Sequence, residues 1–582
     1  MFHLFRQIIA QVLRNYSKVS NDDFELLENR ILIDVPNNPN VGDLYTNAAM
    51  VFAKSLKTNP QILAKSICDS LMENDFILSA EIAGPGFINM RLSNNAWYSV
   101  IDSILDKKES YSFQNIKNNE KINVEFVSAN PTGPLHTGHA RNAVFGSVIV
   151  KLLEKIGYNV TKEFYINDQG NQIKSLARSL YLRYREVLGA NISESDFTED
   201  MYCGEYVKDL AEEFVATYQD KFLNKDESEW LDFFAKYSVE KMLDNIKSDL
   251  KLLGIEMDVY TSEADVCRRK MVDEALGILT ECGDIYDGII PKPKGIEVED
   301  WEERPQTLFR STKYGDDIDR AIRKSDGSWT YFAGDIAYHL DKIRRGFKHM
   351  VGILGADHNG YVKRLKAVVK ALSNGEADIE IQLYQLVNFL ENGKPIRMSK
   401  RAGNFITLRE VVNRVGKDIT RFMMVSRHHD VMIDFDFVKA VEFSMENPIF
   451  YIQYAYARIC SVFRNVQTIF PNITEDELRN CDKSILKDEA EINLIKELSL
   501  WPSKIQSAAN SLEPHRIPHF LHEIASCFHS LWNKGKNDMT LRFIDENDRN
   551  STLARLALLN ATRIILADGF NIIGVSPIEE MK

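Results

Sequence analysis

His136 and His139 stand three residues apart in the stretch ANPTGPLHTGHARN, residues 129–142, with Gly138 between them. An imidazole donates hydrogen bonds to phosphate oxygens. At the start of a helix, two imidazoles add to the free N–H groups and positive dipole end already there, so the place suits phosphate. Gly138 lets a flat adenine or ribose approach the backbone, and Pro131 and Pro134 stiffen the approach. The plain alternative is a turn before a helix with two exposed histidines. A second stretch, IRMSKRAGN at 396–404, puts Lys400 among Ser399, Ala402 and Gly403 and beside Arg397 and Arg401. A lysine on such a loop can grip a triphosphate more tightly in the transition state than before it. Alone, a basic loop is most often simply solvated; it is the pairing with the histidines that carries information.

The elements around these residues place them at the edge of a parallel sheet. INVEFVS (122–128) reads as a strand that runs into the histidine loop. The following segment spaces Ala140, Val144, Val148, Leu152 and Ile156 as a helix, with Gly157 as its stop, and NVTKEFYIND (159–168) returns as a strand. Strand, helix and strand make a βαβ unit, and ligands of open parallel sheets bind beyond the carboxyl ends of the strands. TYFAGDIAYHLDKIRR and HMVGILGADHNGYVKRLKAVVKAL read as two further strand-or-loop-then-helix units. Before them, residues 1–110 mix helices (DLYTNAAMVFAKSL, PQILAKSICDSLM) with short strands (ILIDVP, GFINMRLS), and the polar 106–121 reads as a linker. Residues 174–280 read as a charged, mostly helical insertion, and the chain from about 405 onward reads as almost entirely helical.

The bulk properties agree with an ordinary soluble chain. At 582 residues, roughly 100–200 per domain suggests three to five domains. No run of about 18 consecutive apolar residues is present, so no membrane span is expected. The seven cysteines are scattered without a C-x-x-C pair, which argues against a disulfide framework and a zinc ribbon and for a reducing compartment. The net charge of −13 makes global attraction to nucleic acid a poor expectation, though not a local patch. The first twenty residues carry Arg6, Arg14 and Lys18 and no acid. They read as a helix opening the fold, with Leu4, Phe5, Ile8, Ile9, Val12 and Leu13 on one face, the alternative being a weak amphipathic targeting segment.

The two motifs together resemble the HIGH and KMSKS signatures of class I aminoacyl-tRNA synthetases. VEFVSANPTGPLHTGHARNAVFG, FYINDQGNQI, GADHNGYVKRL, RMSKRAGNFITLREVVNRVGKDITRFMM and ARLALLNATRIILADGFNIIGVSPIEEM are similar to the arginyl-tRNA synthetases of bacterial type, over nearly the whole chain. The resemblance implies a Rossmann-type catalytic domain at 120–400, carrying the insertion, behind an α+β N-terminal domain at 1–110 that contacts tRNA. It further implies an acceptor-arm contact region at 401–445 and an all-α anticodon-binding domain at 446–582. Carried over residue by residue, His136, His139 and Lys400 are the catalytic set, acting on the ATP phosphates. Pro131, Gly138, Gly355, Asp357, His358, Met398 and Ser399 complete the nucleotide site. The sequence departs from the family pattern at Arg397 and Arg401, which replace lysine and serine at the ends of KMSKS; Arg397 keeps the lysine charge but not its geometry. Gly133 stands where some members carry a compensating lysine, and Lys400 itself is present.

A guanidinium is planar and donates in a fork, so a site selective for it needs carboxylates. The resemblance points to Glu125 and Asp335 with Tyr331, and to Ser128, Asn130 and His136 for the amino-acid end of arginine. The plain readings are an exposed strand residue for Glu125 and a helix cap for Asp335. On the RNA side, residues 397–429 hold eight Lys or Arg against two acids, and Arg414 and Arg421 are expected to meet the acceptor arm. FYIQYAYARICSVFR (450–464) interleaves Tyr451, Tyr454 and Tyr456 with Arg458 and Arg464. Tyr451 and Arg458 are the expected base contacts, although aromatics at helical spacing are more often core. ATP and arginine as substrates, Mg²⁺ with the ATP, tRNA(Arg) as partner, no metal site of its own, zinc included, no membrane, a cytoplasmic location and a monomeric state complete the expectation. Two rivals stay open: a class I nucleotidyltransferase without tRNA, against which the helical C-terminal third speaks, and a non-catalytic tRNA-binding paralogue, which would have lost His136, His139 or Lys400.

Overall fold

The computed structural model describes residues 2–16, 21–28, 30–36, 38–290, 305–324, 327–396 and 405–581. Its centre is a five-stranded parallel sheet. The strands stand in the spatial order Asp378–Tyr384, His349–Gly355, Lys121–Glu125, Asn159–Ile166, Val259–Ser262. In chain order this is 5-4-1-2-3. The order therefore reverses between Lys121–Glu125 and His349–Gly355, and the crevice above that reversal is where an open sheet binds its ligand. The helix Thr137–Lys155 crosses from the first strand to the second and is buried on most of its surface. Gly146 makes this close approach possible: a Cβ there would collide with the Phe126 ring.

The segment 174–280 is less uniform than its charge pattern suggests. The helices Asn171–Val187, Glu205–Tyr218 and Glu227–Leu252 pack around their own aromatic core of Tyr184, Phe214, Trp230 and Phe234. Val259–Ser262, however, is an edge strand of the main sheet, paired in parallel with Asn159–Ile166. The helices are thus an enlarged crossover between two strands. Four polar-flanked residues carry too weak a pattern to be read as a strand without their neighbour.

The N-terminal part builds a four-stranded antiparallel sheet in the order Ile33–Asp34, Leu44–Thr46, Phe87–Leu92, Ile77–Ala83. Leu44–Thr46 is a strand where the sequence reads as the start of a helix; its pairing with Phe87–Leu92 buries Leu44 and Thr46 and overrides local propensity. The opening helix Phe2–Tyr16 buries Phe5, Ile9 and Leu13 in this unit's core.

The C-terminal third is a helical bundle around Arg549–Ile573. That helix is long and apolar enough to cross a membrane, with a mean hydropathy of 1.4, but 78% of the window is buried inside the molecule. It is a core helix of the kind that is hydrophobic all round because it is enclosed. The strand Ile433–Asp436, paired in parallel with Val387–Glu391, interrupts the stretch read as all-helical. The expected linker at 106–121 is pinned down. The Asp568 carboxylate accepts from Ser112 Oγ at 2.6 Å, Lys155 Nζ at 2.7 Å and Trp501 Nε1 at 2.8 Å. One buried carboxylate therefore joins the linker, the histidine helix and the bundle.

Candidate active site

The turn that leaves the first strand is strained. Val127 has φ +69° and Ser128 φ +39°, a region that a β-branched residue enters only when its surroundings enforce it. The enforcement comes from Asn142 on the histidine helix, whose side-chain oxygen accepts from Val127 N at 2.8 Å. Its amide donates to Ile353 O on the neighbouring strand at 3.1 Å. Ser128 Oγ donates to Glu125 Oε1 at 3.0 Å and accepts from Tyr165 N at 3.1 Å.

His136 caps the helix Thr137–Lys155. Its Nδ1 accepts from Gly138 N at 3.1 Å, and His139 Nδ1 accepts from His136 N at 3.3 Å. The two rings stack at 3.8 Å between centroids. Because both Nδ1 atoms act as acceptors, each neutral ring carries its proton on Nε2. The capping geometry thus turns both histidines into Nε2 donors at a helix N-terminus. Gly138 serves this seat directly, since a Cβ would lie 3.0 Å from His136 Cε1.

Arg397, Met398, Ser399, Lys400 and Arg401 lie outside the described residues, but the flanks of their loop are defined. Ile396 N donates to Phe389 O at 2.8 Å. On the other side Thr137 N donates to Ile406 O at 3.3 Å and Leu408 N to Leu135 O at 2.8 Å, a short bridge that sets Thr407 opposite His136. Thr407 and Glu410 then cap the helix Leu408–Val415 reciprocally. Residues 406–408 therefore lie directly against the start of the histidine helix. Across the strand reversal, Gly355 ends its strand and Asp357 and His358 stand exposed in the following turn, Ala356–Tyr361.

A group of carboxylates occupies the same edge. Glu125 Oε2 accepts from Lys342 Nζ at 2.6 Å, and Lys342 is 1% exposed, its ammonium 4.3 Å from the Tyr338 ring centre. Asp335 has a different fate. Burial, reinforced by Glu125 and Glu263 and opposed only by Arg364, pushes its carboxyl up to about 7. Burial and Asp168 likewise raise Glu263. Tyr331 precedes Asp335 by one helical turn on the same face and is 67% exposed. Asn130 donates to Gln172 Oε1 at 2.8 Å. Sequence reasoning missed Glu263 and Lys342. Lys342 was visible as the residue two turns after Asp335, whereas Glu263 sits at a helix start with no local mark of its neighbours.

The RNA-side residues divide. Arg421 is a correction to the sequence reading: it is 3% exposed and donates to Ile573 O at 2.6 Å, Leu253 O at 2.9 Å and Ser147 Oγ at 2.8 Å. It is a rivet between the end of the core helix, the crossover and the histidine helix, and is not available to a phosphate. Arg414 is more exposed, ion-paired to Glu391 at 2.7 Å and laid over the Phe437 ring at 3.8 Å. On the helix Pro448–Ile469, Tyr456 is buried core. Tyr451 stacks on His522 at 4.7 Å and meets His529 at 4.6 Å. Arg458 lies over Tyr454 at 4.0 Å and donates to its hydroxyl at 2.7 Å.

Comparison with known proteins matches three family models along the chain. The family model "Arginyl tRNA synthetase N terminal domain" matches residues 3–92, "tRNA synthetases class I (R), catalytic domain" residues 100–446, and "DALR anticodon binding domain" residues 452–581. An arginine–tRNA ligase of Wolbachia pipientis wMel is 49% identical, over 95% of this chain and 94% of its own. That of Wolbachia sp. subsp. Brugia malayi (strain TRS) is 46% identical over 100% of both. The Thermus thermophilus arginyl-tRNA synthetase structure shares the fold, with a TM-score of 0.72 at 18% identity and all of both chains covered. Matched by three family models in order and by relatives close to half identical along their whole length, the chain belongs to the arginyl-tRNA synthetases, class I aminoacyl-tRNA synthetases.

Proposed function

We propose that this chain is an arginine–tRNA ligase, activating L-arginine with ATP and passing it to the 3′ end of tRNA(Arg), and that the residues above divide the work as follows. The observation that carries the assignment of roles is the pair of Nε2-donating imidazoles at a helix N-terminus, set beside a carboxylate pocket short of cations. ATP lies in the crevice above the strand reversal, its adenosine near Pro131, Gly138, Gly355, Asp357 and His358. His136 and His139 donate to the α-phosphate as the arginine carboxylate attacks it. Lys400, with Met398 and Ser399 shaping its loop, holds the β- and γ-phosphates as pyrophosphate leaves. Asp335 and Glu125 take the guanidinium with Tyr331, and Ser128, Asn130 and His136 meet the amino-acid end. The work is positioning and charge stabilisation, with no covalent enzyme intermediate. Mg²⁺ arrives with the nucleotide; among the described residues no cluster of three or more His, Cys, Asp or Glu side chains forms a cage for it. Arg414 contacts the acceptor arm, Tyr451 and Arg458 contact splayed bases, and the enzyme acts as a cytoplasmic monomer.

The test is pyrophosphate exchange with each amino acid, with and without tRNA. Arginine alone should support it, and only when tRNA is present. Comparable exchange with lysine would overturn the pocket assignment. Lys400→Ala should slow adenylate formation by roughly 10²–10³ while leaving the KM for ATP nearly unchanged. A raised KM with unchanged kcat would remove Lys400 from the transition state.

A further inference from the structure

Arg141 follows His139 by two residues and is completely buried, yet among the described residues no carboxylate is hydrogen-bonded to it. Its guanidinium donates to Gln385 O at 2.7 Å, Val431 O at 2.8 Å and His428 O at 2.9 Å, and among the described residues its Nε meets no acceptor. Burying a cation against carbonyls alone is costly, and a packed apolar side chain would fill the same space more cheaply. What an apolar residue cannot do is fix the direction of three carbonyls at once. Two of those carbonyls belong to the turn 426–431, and the third to a turn tied to it through Gln385 N and His429 O at 2.8 Å.

The far side of the 426–431 turn is held by the C-terminal bundle. His428 Nε2 bonds Glu513 at 3.2 Å, and its ring lies 4.8 Å from that of His515. Asp430 also bonds the His428 ring, and the His429 ring lies tilted against it at 4.1 Å. One turn along the helix Arg516–Asn537, His519 Nε2 bonds Ser426 O at 3.1 Å. The same helix presents His522 and His529 to Tyr451. A single short turn is thus gripped by the histidine helix on one side and, on the other, by the helix that backs the aromatic surface.

We propose that Arg141 is a positioning residue for the reaction: it sets the first turns of the histidine helix, and with them His136 and His139, against the 426–431 turn. The His428–Glu513 contact is the joint through which RNA seated at Tyr451 bears on that turn. This rests on the proposed ligase activity and adds to it a route from the bundle to the phosphate site. The route is a chain of polar contacts, so its coupling is a quantity to be measured by a double-mutant cycle.

The experiment uses the full chain, saturating tRNA and single-turnover formation of arginyl-adenylate. Glu513→Gln keeps the shape of a partly exposed side chain and removes its charge. It should lower the rate of adenylate formation roughly five- to tenfold, the size of a modest coupling, without moving the apparent affinity for ATP or arginine or the Kd for tRNA. In a Tyr451→Ala background the same substitution should add nothing further. Arg141→Lys, which keeps the charge but cannot reach three carbonyls, should lower that rate without rescue. If that variant fails to fold, the Glu513 and Tyr451 cycle decides alone. Multiplicative effects in the cycle, a loss confined to the Kd for tRNA, or no loss in Glu513→Gln would overturn the proposal. Wild-type enzyme that forms no adenylate with arginine would instead overturn the ligase reading, a result distinguishable from all of these.

Discussion

Two charged regions of the molecule are built in opposite ways. At the carboxyl edge of the sheet, acids exceed the cations bonded to them: Glu125 has Lys342, while burial drives Asp335 and Glu263 toward their protonated forms. In the segment after residue 405, Arg421 and Arg409 are already committed. Arg421 is spent on two carbonyls and a hydroxyl and Arg409 on the buried Asp249 at 2.7 Å, whereas Arg414 holds only an exposed pair with Glu391 beside the Phe437 ring and stays open to an exchange of partners. A charge counted along a sequence is therefore not a charge on offer. Where the charge is unmet, a ligand of opposite sign gains the most; where it is met, the charge holds elements together.

The largest effect should come from the unmet side. Asp335→Asn is expected to lower kcat/KM for arginine by roughly 10²–10³, the cost of removing one partner of a desolvated ion pair, with the KM for ATP unchanged. A loss below tenfold in steady-state exchange would mean the pocket does not depend on this carboxylate. Next, on the met side, Arg421→Ala should cost about 2–4 kcal/mol of stability, because it strands buried acceptors. It should leave the salt dependence of tRNA binding as it was. A shallower salt slope at unchanged denaturant midpoint would return Arg421 to the RNA surface and break the comparison.

A third effect sharpens the contrast through pH. A guanidinium prefers the ionised form of Asp335, and that carboxyl titrates at about 7 when the pocket is empty. As pH falls below 7, arginine must displace a proton, so its KM should rise toward tenfold per pH unit. Binding near pH 6 should release a proton, which calorimetry in buffers of different ionisation enthalpy would detect. A flat profile between pH 5.5 and 8 in the wild type would show that Asp335 is ionised before arginine arrives.

What could be read from the residues, and what could not, follows the same line. The histidine loop was legible because its surroundings are local: strand, capping turn and helix are contiguous from 121 to 155. The strained turn at Val127 and Ser128 was not, since it depends on Asn142 meeting a neighbouring strand. Asp335 was legible only through resemblance, because its raised carboxyl comes from burial reinforced by Glu125 and Glu263, which are 210 and 72 positions earlier in the chain. Arg421 was misread for the converse reason: the groups that bury it lie at 147, 253 and 573. The parallel sheet was implied by the βαβ pattern, whereas its strand order and the edge strand at 259–262 needed their partners to become visible. Periodicity reports on residues close in sequence, and pairing between distant segments leaves no trace in it.

The smallest expected effect concerns stability, and its sign separates a binding carboxylate from a structural one. Asp335 is raised in the folded protein from an ordinary value of 3.8 to about 7. Between those values the folded state holds more protons than the unfolded one, so stability is fully present at low pH and is lost as pH rises through 7. At pH 8 the wild type carries the whole cost of an ionised, desolvated carboxylate, and Asp335→Asn does not. The variant should therefore melt about 1–3 °C higher than the wild type at pH 8, a modest shift for a large chain. At pH 5 the folded wild-type carboxyl is protonated while the unfolded one is already ionised, so the difference should be smaller than at pH 8, and it vanishes only below 3.8. Arginine at a concentration that saturates only the wild type should then reverse the order at pH 8, because it raises the wild type's melting temperature and barely moves the variant's. A carboxylate that served the fold would behave the other way, with the asparagine variant less stable at pH 8 and arginine unable to change the ranking.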